Sequence, residues 1–220
     1  MTRRGVLGVL LGLVTSLSLS ACGSTNRLRY KMTVEVDTPE GVKTGFAVRE
    51  MALNTDNIVR PATGAIKGEA VAVDLPGGQT LFALLTGGDG DVDYGMQIGG
   101  RAGVWERGGP IELYPTAPKT SGLERTDPLP MLVRFRDLGD PKSVERVEPA
   151  NLAASFGAGV RLRRITVETT KDALTTGMGK RLGWLDVNPE PRLDSTYSGS
   201  KSPNLSQKLT HGSFREGALQ

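Results

Sequence analysis

Cys22 is the only cysteine and His211 the only histidine among 220 residues, so chemistry that needs a thiolate or an imidazole has one place for each. A Ser-His-Asp or Cys-His arrangement requires that histidine to be held beside the nucleophile. His211 falls in a stretch poor in apolar residues, where no packed wall is expected to orient it. One histidine also rules out a zinc site built on histidines. Among the 24 acidic residues the notable group is Asp89-Gly90-Asp91-Val92-Asp93-Tyr94-Gly95. Asp89, Asp91 and Asp93 place three carboxylates at alternate positions in glycine-rich text, a donor set that suits a hard cation such as calcium. The segment departs from an EF-hand loop at Tyr94, where the turn needs glycine, and at Gly100, where a bidentate glutamate is needed. A solvated acidic loop is the alternative. No phosphate-binding G-x-x-x-x-G-K-[ST] loop is present, and Phe156-Gly157-Ala158-Gly159-Val160 precedes a strand pattern instead of a helix. The expectation is a protein with no catalytic residues and no dissociable cofactor.

The chemistry left for Cys22 is acylation. Arg3 and Arg4 form a charged start, Gly5 to Leu17 an apolar run, and Leu19-Ser20-Ala21-Cys22 ends in small residues before the sulfur. These four residues resemble the lipobox of bacterial lipoprotein precursors. The resemblance implies a signal peptide over residues 1–21, a diacylglycerol and an N-acyl chain on Cys22, and a cut just before it. A retained membrane helix is the competing reading. The apolar run is too short for it, since crossing a bilayer takes about 20 residues. Plain secretion would leave an odd thiol in an oxidising compartment. Gly23 stands where aspartate would be the inner-membrane retention signal. The expected location is therefore the cell envelope, at the outer membrane and facing the periplasm.

Removing residues 1–21 takes away two arginines and no acid, which leaves 25 basic against 24 acidic residues. A near-neutral mature chain gives no footprint for nucleic acid. The densest basic cluster, Arg161, Arg163 and Arg164, reads as the solvent side of a strand, with a phosphate or lipid-headgroup site as the alternative.

What remains is long enough for one domain with its own core. Residues 22–28 read as a lipidated tether, 29–185 as a β-rich domain and 186–220 as a flexible tail. Tyr30, Met32, Val34 and Val36 alternate with polar residues, the period of a half-buried strand. Thr38-Pro39-Glu40-Gly41 is a turn, so residues 29–53 form a hairpin. Ala70 to Leu75 and Thr80 to Leu85 form a second hairpin around Pro76-Gly77-Gly78-Gln79. Residues 86–110 are glycine-rich without apolar periodicity, and 115–130 form a proline-rich surface connection. Met131 to Phe135 is a buried strand, and Asp140 to Val144 is a turn. One short helix is expected near residues 150–156, and Arg161 to Thr169 is a strand with Ile165 and Val167 inward. The segment 172–185 reads as a short strand or as an irregular segment that docks Trp184 on the core. Val71, Val73, Leu81, Leu84, Leu132, Val133 and Phe135 complete the expected core. The fold class is mainly β, an antiparallel sandwich or barrel-like domain with a disordered C-terminal tail.

The stretch from Arg29 to Gly41, together with Asp140-Pro141-Lys142-Ser143-Val144, Phe156-Gly157-Ala158-Gly159-Val160 and Arg181-Leu182-Gly183-Trp184-Leu185, resembles uncharacterised proteobacterial proteins. That resemblance covers residues 29–185, implies a Gram-negative host and brings no functional residue with it. Two function classes follow. In one, the domain is a non-catalytic structural or adaptor module that meets the membrane through its lipid and an envelope protein through its surface. In the other, it encloses a small apolar or lipidic ligand as a carrier. A filled core with an open sheet edge favours the first, and a large apolar cavity the second.

Overall fold

The computed structural model describes residues 25–54, 63–88, 90, 94–104, 110–113, 129–187, 192–194, 196 and 204–217. Among the described residues, ten strands form two antiparallel sheets. They are β1 (Thr25–Thr38), β2 (Gly41–Asn54), β3 (Thr63–Glu69), β4 (Val71–Leu75), β5 (Gln79–Gly87), β6 (Ile111–Leu113), β7 (Pro130–Phe135), β8 (Val144–Arg146), β9 (Arg161–Thr169) and β10 (Arg215–Glu216). The larger sheet has the order β10-β3-β2-β1-β9-β6 and the smaller β4-β5-β7-β8. The sheets stack as a sandwich and do not close into a barrel.

The alternation in β1 drives the stacking. Tyr30, Met32, Val34 and Val36 are fully buried and face Val71, Val73, Leu81 and Leu132 of the smaller sheet across a shared core. The chain passes from one sheet to the other between β3 and β4, and the two sheets come very close at that corner. A Cβ at Gly45 of β2 would collide with the carbonyl oxygen of Ala72 in β4, so only glycine permits the contact. All the side chains expected in the core are buried.

Strand β5 differs from β1, because nearly every residue from Thr80 to Gly87 is buried. Leu81 and Ala83 enter the inter-sheet core, while Phe82 and Leu84 enter a second core on the far face. That face is covered by short segments: α3 (Met178–Arg181), α4 (Trp184–Val187) and α5 (Leu205–Lys208). The expected docking of Trp184 is present, with its indole N–H donating to the Leu138 carbonyl at 3.0 Å.

Two expectations are corrected. Beyond the helix expected near residues 150–156, which is α2 (Ala153–Phe156), the glycine-rich stretch 86–110 contains the 11-residue helix α1 (Tyr94–Val104). Glycine disfavours helix in isolation, but Gly99 lets this one lie directly on Tyr30, and Gly95 lets it approach Ile66. A Cβ at Gly99 would stand 2.9 Å from the tyrosine ring, and the buried Tyr30 hydroxyl donates to the Gly95 carbonyl at 2.9 Å. The second correction concerns the tail. The described part of residues 186–220 is packed, with Leu193, Leu209 and Phe214 at most 3% exposed in the second core. Strand β10 pairs with β3, and Ala70 N–H donates to the Phe214 carbonyl at 2.8 Å. Three apolar anchors spaced along a polar segment suffice because an uncovered apolar sheet face is waiting for them.

Candidate interaction surface

Of the residues singled out by sequence, Cys22, Asp89, Asp91 and Asp93 lie outside the described residues. Among the described residues no cluster of three or more histidine, cysteine or acidic side chains could hold a metal ion. None of the described helices is long and apolar enough to cross a membrane.

The basic cluster lies on the outer face of the larger sheet beside two acids. Arg164 meets Glu35 at 2.7 Å, Arg163 meets Asp37 at 3.1 Å and Glu35 at 3.4 Å, and Arg161 meets Asp37 at 3.7 Å. The pairing follows from the β1–β9 register, which sets Glu35 opposite Arg164 and Asp37 opposite Arg161 around a bulge. The two glycines of Phe156–Val160 serve a turn. Gly157 and Gly159 have φ of 103° and 82°, and a Cβ at Gly159 would stand 3.0 Å from Pro39 of the β1–β2 turn.

His211 does have a packed wall, contrary to the expectation from sequence. Its ring lies 5.4 Å from that of Trp184, and its buried Nε2 has no hydrogen-bond partner among the described residues. Burial first, and the nearby Arg215 charge second, hold it below the ordinary histidine value.

A buried guanidinium occupies the corner between the sheets. Arg49 is fully buried, and its Nε donates to the Glu69 carbonyl at 3.0 Å and its Nη2 to the Ala83 carbonyl at 3.4 Å. Gly68 accommodates it, with φ of 148° and a would-be Cβ only 2.8 Å from Arg49 Cγ. At the start of β1, Arg27 and Arg29 grip Glu50 at 2.7 and 3.0 Å, and hydrogen bonds from both hold its carboxyl below the usual range. These three residues, with Thr170 and Lys171, border a groove of about 560 Å³.

Among the described residues, the first half of β2 combines an open strand edge with exposed apolar side chains. Strand β1 covers one side of β2 along its whole length, but β3 covers the other side only from Glu50 to Asn54. At Val48 the gap is filled by Thr175, whose Oγ1 accepts from Val48 N–H at 2.8 Å and whose N–H donates to the Val48 carbonyl at 3.2 Å. Alternate residues of a strand direct their backbone groups to the same side. Val42, Thr44 and Phe46 therefore point theirs to the open side, where no described residue meets them. Val42 and Phe46 are 48% and 57% exposed, the exposed large hydrophobics of the described chain. Beside Phe46 the edge opens into a groove of about 210 Å³ bordered by Ala72, Thr176 and Arg181. Arg181 is held there by Asp74 at 3.0 Å, and the arginine keeps that carboxyl below its ordinary value.

The sequence pattern puts Val42 to Leu53 in a strand but does not mark this edge. Val42-Lys43-Thr44-Gly45-Phe46-Ala47-Val48 carries apolar residues at both parities, so alternation cannot assign a face. Gly45 was the available signal, because an isolated glycine in a strand marks close backbone approach. Comparison of the chain with protein-family models, with curated proteins and with solved structures finds no match in any of the three.

Proposed function

We propose that this chain is a lipid-anchored cell-envelope protein, acylated on Cys22, whose β domain works as a non-catalytic adaptor. The observation that carries the adaptor reading is the open edge of β2. A domain whose described core is filled by its own side chains, yet which leaves the backbone groups of Val42, Thr44 and Phe46 and two large apolar side chains without a partner among the described residues, is suited to β-strand addition. The carrier reading has less support. The 560 Å³ groove is bordered by Arg27, Arg29, Glu50 and Lys171 together with Leu28, Thr169 and Thr170, a mixed and charge-rimmed lining instead of the mostly apolar one that suits a lipidic ligand.

The anchor rests on Leu19-Ser20-Ala21-Cys22 and the leader before it. Membrane attachment at the outer membrane, facing the periplasm, belongs to the same proposal. Replacing Cys22→Ser should abolish palmitate labelling and leave the precursor uncut, and labelling that persists in the variant would overturn the anchor. Solvent extraction of the purified mature protein followed by mass spectrometry tests the carrier alternative. A stoichiometric non-covalent lipid would displace the adaptor reading.

A further inference from the structure

The open half of β2 is complementary to itself. We propose that a second copy of this chain pairs there, β2 antiparallel to β2, about a two-fold axis at Thr44. The inference rests on the adaptor reading of this edge and is independent of the lipid anchor.

In that register Val42 stands opposite Phe46 of the second copy, Thr44 opposite its counterpart, and Phe46 opposite Val42. These are an aromatic with a β-branched residue and a threonine pair, both favourable cross-strand neighbours. The outward backbone groups of Val42, Thr44 and Phe46 meet the same groups of the other copy, so the donors and acceptors left open on this edge are used on both sides. Lys43 falls opposite Gly45 of the second copy, which offers no side chain and no like charge. Both large exposed hydrophobics of the described chain are covered at once.

The ladder has a natural end. Thr175 already fills the place beside Val48, so pairing stops at Phe46. The next residues of the second copy form its turn at Pro39 and Glu40, which arrives at the groove bordered by Thr176 and Arg181. Glu40, which meets Lys43 of its own chain at 3.4 Å, then stands near the Arg181–Asp74 pair at that groove, and the two-fold axis repeats the arrangement at the other end. Such an interface is isologous and small, which places it among weak, reversible associations.

The test uses residues 22–220 expressed without the leader and carrying Cys22→Ser, so that an introduced cysteine is the only thiol. Directly opposed hydrogen-bonded residues in an antiparallel pair have Cα atoms about 5.5 Å apart, inside the roughly 4.4–6.8 Å span of a disulfide. Under mild oxidation, Thr44→Cys should give a disulfide dimer and Val42→Cys alone should not. A mixture of Val42→Cys and Phe46→Cys chains should link to each other. Sedimentation velocity from micromolar to millimolar concentration should show a monomer–dimer equilibrium that is lost in Thr44→Pro and in Phe46→Glu. Thr44→Pro removes an N–H that points outward, and Phe46 is exposed, so circular dichroism and the melting temperature should hold in both. A monomer at every concentration would overturn the proposal. So would a dimer undiminished by both variants, or Val42→Cys chains that link among themselves as readily as Thr44→Cys chains. Palmitate labelling reads the anchor separately, so the two failures are distinguishable.

Discussion

The two faces of the smaller sheet are covered in opposite ways. Toward the larger sheet, Leu81, Ala83 and Leu132 meet long strands whose inward residues are almost all aliphatic. On the other face, Phe82 and Phe135 meet Phe214 and Trp184, with ring centroids 5.6 to 6.2 Å apart, and the cover is a set of short segments separated in sequence. The first face distributes its burial over many ladder-bonded neighbours. The second concentrates it in a few anchors, each held by little else, so single changes there should release whole segments.

The largest effect should come from removing residues 188–220. That deletion strips Leu193, Leu209 and Phe214 from the second core. Chemical denaturation should show a loss larger than the roughly 3–5 kcal/mol expected of Phe214→Ala alone, and an unchanged midpoint would contradict the comparison. The single substitutions sharpen it. Phe214→Ala and Ile165→Ala remove fully buried side chains from opposite faces, at a cost of roughly 3–5 kcal/mol for the phenylalanine and about 2–5 kcal/mol for the isoleucine. Hydrogen exchange should separate them: Phe214→Ala should free the amides of residues 204–217 selectively, while Ile165→Ala should raise exchange across both sheets together.

The line between what the sequence disclosed and what it hid runs along the same division. Strands β1 and β9 alternate because one face is wet, and Tyr30 to Val36 could be read residue by residue. Strand β5 could be read as a buried run. The cover of the second face could not, since Leu193, Leu209 and Phe214 have no mutual period and only a waiting apolar surface makes them core. Helix α1 was hidden for a related reason: its glycines lower helix propensity, and the Tyr30 ring that Gly99 fits is distant in sequence. For the interaction surface, the exposure of Phe46 depends on where β3 stops pairing, which no local pattern in β2 announces.

A smaller effect is expected from pH. His211 is held below its ordinary value of 6.5 by burial and Arg215, so the unfolded chain binds the proton more readily. The stability it contributes is present above that ordinary value and is lost as pH falls below it. The melting temperature should decline between about pH 7 and about pH 5, and His211→Gln should flatten that segment of the profile. Equal slopes in the two proteins would remove His211 from the account. The smallest effect should be at the solvent face of the larger sheet. Glu35→Ala leaves Arg163 and Arg164 without one partner, yet exposed pairs are worth less than about 1 kcal/mol. The difference should shrink further in high salt, and a loss rivalling that of Phe214→Ala would erase the contrast.

The pairing of Arg215 and Glu216 with Glu69 and Gly68 also sets an order of events. The β1–β2 hairpin joins neighbours in sequence and can form as soon as its turn closes. The larger sheet, however, needs β9 beside β1 and β10 beside β3, and both arrive late in the chain. A topology weighted toward such distant partners folds slowly. Until the last residues are available, the edge of β3 and the aromatic face of β5 stay uncovered. In that interval the chain exposes an unpaired strand edge and an aromatic face, the two surfaces that favour aggregation.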